Sequence, residues 1–226
     1  MLGMIPRADP VAGSPAYLRI LGQLALAEGN DGEAYLQYRK ARDADAKDCV
    51  AWEGMGLAAL GLQRPNAAKA ALDAATRLCP DRWQSWNALG VVADLSGDWA
   101  AGRLAYGTAL RLAPAQPAIL NNFGYSLLLQ RRFAEAEDML RKAKAIAPGD
   151  ARIASNLDLA EAGLGKPIVA QDNAQAYRLN NAGYMAYLGG NLDAARAYFT
   201  AAMKLSPSYF GRAAANLELV DEAPKP

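Results

Sequence analysis

Three carboxylates, Asp43, Asp45 and Asp48, crowd into six residues of the chain. Such a cluster can hold a divalent cation. A calcium loop also needs a glycine at its sharp turn and a glutamate that closes it, and neither is present. The run reads better as a hydrated turn between helices. Gly163-Leu164-Gly165-Lys166 has the residue types of a phosphate loop. It lacks the full Walker spacing and a preceding strand. The 226 residues include no histidine. The commonest general base, the commonest metal ligand and every Ser–His or Cys–His nucleophile pair are therefore missing. Two cysteines remain, Cys49 and Cys79. Cys79 precedes Pro80 in a slot filled by Ala113 and Ala147 further along, so it reads as a small buried hydrophobe. A disulfide to Cys49 is the less favoured reading. These residues predict no enzyme, no catalytic residue, no cofactor and no metal.

The elements that would carry any site repeat every 34 residues. Gly22, Gly56, Gly90 and Gly124 make one series, and Ala34, Ala68, Gly102 and Ala136 a second. Ala41, Ala75, Ala109 and Ala143 make a third, and Pro80, Pro114 and Pro148 a fourth. Large residues alternate with them: Trp52-Met55-Gly56 and Trp86-Leu89-Gly90 in first helices, Ala34-Tyr38-Ala41 and Gly102-Tyr106-Ala109 in second helices. Small residues let two backbones approach, and the large ones fill the gaps between them. A period of this length marks stacked helix-turn-helix units, each of which buries its apolar face on its neighbour.

These slots resemble the tetratricopeptide repeat (TPR) pattern. The resemblance implies an all-α fold, a right-handed TPR superhelix (α-solenoid) of antiparallel helix pairs with about twelve or thirteen helices. The predicted organisation is a flexible N-terminal segment at 1–14 and four regular units over 15–150. A truncated, irregular unit at 151–175 is nine residues short of a repeat. A further unit occupies 176–209, a capping helix 210–221 and a disordered tail 222–226. Leu179, Ala182-Gly183, Ala195, Phe199, Ala202 and Pro207 fill the repeat slots of the further unit. Across the break, Leu120-Asn121-Asn122-Phe123-Gly124-Tyr125 returns as Leu179-Asn180-Asn181-Ala182-Gly183-Tyr184, and Asn156-Leu157-Asp158-Leu159 as Asn216-Leu217-Glu218-Leu219.

In a TPR array the first helices line the concave face. On them stand Asn122, Asn156, Asn181 and Asn216, with Asn87, Asn121 and Asn180 one residue earlier in their own repeats. An amide offers both a donor and an acceptor, so a row of them can pair with an extended peptide backbone. Related TPR proteins use such asparagine ladders. The same amides could instead tether neighbouring helices. Tyr125, Tyr177, Tyr184 and Tyr187 fall on or near the same face and offer apolar area with a polar tip. The resemblance thus predicts a partner-binding groove made by Asn87, Asn121, Asn122, Tyr125, Asn156, Tyr177, Asn180, Asn181, Tyr184 and Tyr187. A dicarboxylate clamp for a C-terminal acidic residue is incomplete. Arg19 and Arg152 suit it, but Glu53, Gly54 and Ala118 occupy other required places.

The net charge of +1 carries no basic stripe that would serve nucleic acid. No apolar run is long enough to span a bilayer. The expected partner is a protein or peptide, and self-association is open. The repeated Leu-Asn-Asn-x-Gly-Tyr helix and the Asn-Leu-(Asp/Glu)-Leu helix also resemble TadD-type TPR proteins of Tad/Flp pilus assembly. That resemblance implies an outer-membrane-associated lipoprotein that helps a secretin assemble. It would sit at the periplasmic face if an upstream lipoprotein signal was removed. Met1 to Pro15 has no signal-peptide pattern, and Cys49, inside the array, is no lipid-attachment site. The alternative is a cytoplasmic TPR adaptor or co-chaperone for an unrelated client.

Overall fold

The computed structural model describes residues 11–166, 175–205 and 210–223. Parts of the predicted N-terminal segment, irregular unit, further unit (with Pro207) and tail lie outside the described residues. Twelve helices and no strand occur among the described residues. The chain divides into two compact units, Met1–Pro114 and Ala115–Pro226. The first holds α1 (Pro15–Ala27), α2 (Asp31–Ala44), α3 (Cys49–Gly61), α4 (Pro65–Leu78), α5 (Trp83–Leu95) and α6 (Trp99–Leu112). The second holds α7 (Pro117–Leu129), α8 (Phe133–Ile146), α9 (Ala151–Gly163), α10 (Gln175–Leu188), α11 (Leu192–Leu205) and α12 (Phe210–Glu222).

Local chemistry sets the helix ends. Ser14, Asn30, Asp48, Asp98 and Asp150 each accept a backbone N–H in the first turn of the helix that follows. These side chains satisfy donors that have no intrahelical partner. Pro15, Pro65 and Pro117 open their helices, where no N–H is needed. The turn between the helices of a pair needs one left-handed residue. Gly29, Gly97 and Gly190 supply it, but Gln63 (φ 56°) and Arg131 (φ 58°) take it in two repeats.

Each helix pair is held by a glycine meeting a large residue sixteen positions later. A Cβ added to Gly22 would lie 2.8 Å from the Tyr38 ring, on Gly56 2.5 Å from Leu72 and on Gly90 2.5 Å from Tyr106. In the second unit the same holds for Gly124 against Leu140 (2.6 Å) and Gly183 against Phe199 (2.7 Å). The alanine series flank these contacts. Ala34, Ala41, Ala68, Ala75, Ala109, Ala136, Ala143, Ala195 and Ala202 are wholly buried. Tyr106 is also fully buried and donates its hydroxyl to Asp94 at 2.8 Å. Burial first, and then the Asp94 carboxylate, push its phenol pKa far up.

Residues 151–166 follow the repeat through a complete first helix and its left-handed Gly165. The next described helix, α10, is itself a first helix. It packs beside α9, where Asn191 donates to the Gly163 carbonyl at 2.7 Å. The second unit therefore lays α7, α9, α10 and α12 side by side, in that order.

One expectation fails. Cys49 and Cys79 form a disulfide with their Cα atoms 6.0 Å apart. Cys49 opens α3 and Cys79 closes α4. An antiparallel pair brings its two ends together, so the bond staples that hairpin.

Gly90 and Gly107 separate close packing from helix propensity. Gly90→Ala is expected to overpack Tyr106, whose hydroxyl is anchored. We expect roughly 2–3 kcal/mol of strain, set against about 1 kcal/mol of propensity gained. Gly107 lies within α6 with nothing near its absent Cβ. Gly107→Ala should therefore stabilise by about 1 kcal/mol. Chemical denaturation of both variants checks the opposite signs.

Candidate functional site

A polar residue five or six places into a first helix repeatedly reaches into the following repeat. Arg19 donates to Asp48 at 3.1 Å. Glu53, buried, accepts from Arg82 at 2.7 and 3.0 Å and from Ser85 at 2.6 Å. In the second unit Asn156 donates to Asn121 at 2.9 Å, and Asn216 donates to Asn180 at 3.0 Å. Asn121 also lies 3.4 Å from the Asn122 oxygen as a weak donor. Asn180 is only 4% exposed. The amides of Asn121, Asn156 and Asn180 are thus engaged helix to helix, which an aligned sequence row does not reveal. Asn181 is half-buried and takes no part in either pair, and Asn122 is half-buried beside Asn121. Asn87 lies half-buried on α5 in the first unit, and the other nine predicted residues belong to the second.

The tyrosines divide differently. Tyr125 (44% exposed), Tyr177 (49%) and Tyr184 (41%) stand out on α7 and α10. Tyr187 packs against the C-terminal core and stacks on Tyr184, with ring centroids 6.3 Å apart. Tyr125 and Tyr184 occupy equivalent places on their helices, and Leu159 and Leu219 hold that place on α9 and α12. The row therefore reads Tyr125, Leu159, Tyr184, Leu219 across four adjacent first helices. Leu129 and Leu219 add exposed apolar surface. Sequence reasoning missed these leucines because an isolated Leu on a helix gives no signal of exposure.

The chemistry-bearing motifs have structural employment. Asp48 caps α3 and holds Arg19, Asp45 accepts the Lys47 N–H, and Asp43 pairs with Arg42. No group of three metal-ligating side chains occurs among the described residues. Lys166, at the end of the glycine-lysine run, donates to both oxygens of Glu137 at 2.6 and 2.8 Å, while Arg141 holds the same carboxylate. Arg152 is spent on Asp150, its own helix cap.

Models of the tetratricopeptide repeat match residues 54–117, 96–151 and 176–209. The chain belongs to the tetratricopeptide-repeat family. A comparison with curated proteins gives no match. Solved TPR-like structures superpose at low identity, which shows the fold alone. Pseudomonas aeruginosa pilF is 17% identical with a TM-score of 0.64, covering 85% of this chain and 92% of that one. TTC0263, a thermophilic TPR protein of Thermus thermophilus, is 16% identical with a TM-score of 0.57, covering 90% and 99%. A chain of the APC/C hetero-tetramer Cut9–Hcn1 is 16% identical with a TM-score of 0.62. This chain is covered to 94% in that match but spans only 37% of the Cut9–Hcn1 chain. The TPR fold supports a protein–protein interaction scaffold, and no helix among the described residues is long and apolar enough to cross a membrane.

The Glu137 cluster gives a pH signature. The Lys166 ammonium, followed by the Arg141 guanidinium, holds the Glu137 carboxyl below its ordinary value of 4.5. A depressed carboxyl contributes stability that is full above its unfolded value and is lost as pH falls through its folded value. Lys166→Met should lower the melting temperature at pH 7, and its gap to the parent should narrow below about pH 4. Melting curves from pH 3 to 7 check this.

Proposed function

We propose that the chain is a non-enzymatic scaffold that binds an extended segment of a protein partner along the first helices of its second unit. The observation that carries this reading is the exposed Tyr125, Tyr177, Tyr184 and Leu219 set on α7, α10 and α12, beside the half-buried Asn122 and Asn181. Exposed aromatics with polar tips make strong interface anchors. The neighbouring amides match peptide groups without demanding a particular side chain. Asn121, Asn156 and Asn180 support this surface by tying its helices together.

The client we propose is a component of pilus assembly or secretion, on the resemblance of the two duplicated helices to TadD-type proteins. The Cys49–Cys79 bond supports placement in an oxidising compartment such as the periplasm, since cytosolic thiols are kept reduced.

A photoreactive residue placed at Tyr184 is expected to crosslink a single protein in cells, and one at the exposed Lys144 is not. Adding Tyr125→Ala to the Tyr184 probe should cut the yield about tenfold with melting unchanged. Equal yields at both positions, or no response to Tyr125→Ala, would remove the groove. Mass spectrometry of the adduct identifies the client, and a cytoplasmic client would overturn the pilus reading. Alkylation of intact cells before lysis should find both cysteines protected until a reductant is added. Free thiols in the cell would place the protein in a reducing compartment instead.

A further inference from the structure

Two of the four tryptophans in the first unit are held in the same way but covered differently. Trp52 donates its indole N–H to the Ala46 carbonyl at 3.0 Å, and Trp86, one repeat later, donates to the Pro80 carbonyl at 2.8 Å. Over Trp52 lies the Arg42 guanidinium, 4.8 Å from the ring centroid. Two turns before Arg42 on α2, Tyr35 packs against the apolar clusters on both sides of it. The chain thus covers this junction with its own aromatic ring and its own cation.

At the next junction both covering residues are replaced. Lys69 stands in the place of Tyr35, and Thr76 in the place of Arg42. Each is turned back onto α4. Lys69 donates to Asp73 at 2.8 Å, and Thr76 donates to the Leu72 carbonyl at 3.1 Å. A pocket of about 250 Å³ is left between α4 and α6, with Trp86, Leu89 and Val92 on its floor and Leu104 at its edge. Leu104 replaces Ala70 of the previous repeat and is 67% exposed.

We infer that this pocket receives an aromatic side chain, with an adjacent cation, from a protein partner other than the groove client. The chain itself shows the pattern one repeat earlier, where Tyr35 packs at the place of Lys69 and Arg42 lies over Trp52, the counterpart of Trp86. Charge agrees with the template. The rim carries the carboxylates of Asp73 and Asp98, and its ammonium, Lys69, is already engaged by Asp73. Asp98 caps α6 and has no ion-pair partner among the described residues. An incoming cation beside an aromatic ring therefore meets a tryptophan face and an unmatched carboxylate. The site lies on α4, α5 and α6 and shares no residue with the groove of the second unit.

Tyramine carries a phenol and a cation and serves as the probe, with p-cresol and 3-(4-hydroxyphenyl)propionate as its neutral and anionic counterparts. In proton–nitrogen spectra of the full chain, tyramine is expected to shift the Trp86 indole resonance saturably and to leave Trp52 unmoved. It should bind about threefold more tightly than p-cresol, with the anion weakest. Lys69→Tyr restores the residue of the previous repeat and should abolish the shift while helicity and melting temperature hold. Leu104→Ala leaves the pocket floor intact and should weaken binding without abolishing it, which covers the event that Lys69→Tyr misfolds. No saturable shift at Trp86, an equal shift at Trp52, persistence in Lys69→Tyr or preference for the anion would each overturn the proposal. A concentration-dependent dimer that Lys69→Tyr dissolves would assign the pocket to a second copy of the chain and overturn the separate partner.

Discussion

The contact on which the rest depends is a glycine on one helix receiving the side chain sixteen residues later on its partner. In five pairs the missing Cβ is replaced by the ring or branched end of Tyr38, Leu72, Tyr106, Leu140 or Phe199. This fixes how closely the helices of a pair approach. At that distance the flanking positions admit only methyl groups or less, so the alanines beside the knob are wholly buried. The knob can change shape because it fills a pocket, whereas the glycine has no substitute that leaves the pocket open. Apolar burial supplies the driving force, but the small residue determines which geometry satisfies it.

With pair geometry held constant, the junction between repeats is free to change its chemistry. One polar residue early in a first helix faces the next repeat at Arg19, Glu53, Asn121 and Asn180. The pairing is ionic for Arg19 with Asp48, an anion with a guanidinium and a hydroxyl for Glu53, and amide to amide for Asn121 and Asn180. A buried polar side chain must be matched, but the matching pair need not be the same in kind at every junction. The Cys49–Cys79 bond adds a covalent version, closing the helix pair at its open end.

This division explains what was legible in the amino-acid sequence. Glycine and alanine at fixed spacing reported the fold because close approach demands those residue types. Asparagine was ambiguous because adjacent positions do two jobs. Asn180 is buried against Asn216, while Asn181, its neighbour in the chain, is half-buried and outside that pair. The period cannot separate them, since both repeat equally well. The disulfide was hidden for the opposite reason. Cys79 occupies an alanine slot, and only the antiparallel path of α3 and α4 brings it to Cys49. The exposed tyrosines were legible as types, but Tyr187 shows that type does not decide exposure. It lies one turn from Tyr184 on α10, yet it packs inward on the C-terminal core.

Departures from the repeat therefore carry more functional information than the repeat itself. A residue that obeys the pattern is explained by the neighbour it packs on. Lys69 and Thr76 depart from it together, and both bond within α4. Leu104 departs in the same place, toward a larger side chain, yet fills nothing. Lys69 leaves open the space beside Trp86 that Tyr35 occupies one repeat earlier, and Leu104 adds exposed apolar surface next to it. These departures become mutually consistent if the missing ring and charge arrive from outside. The second unit follows the same logic with different chemistry: Tyr125 and Tyr184 are larger and more exposed than packing of their own helices requires. The fold can tolerate both departures because its geometry rests on the buried glycine contacts, none of which either surface disturbs.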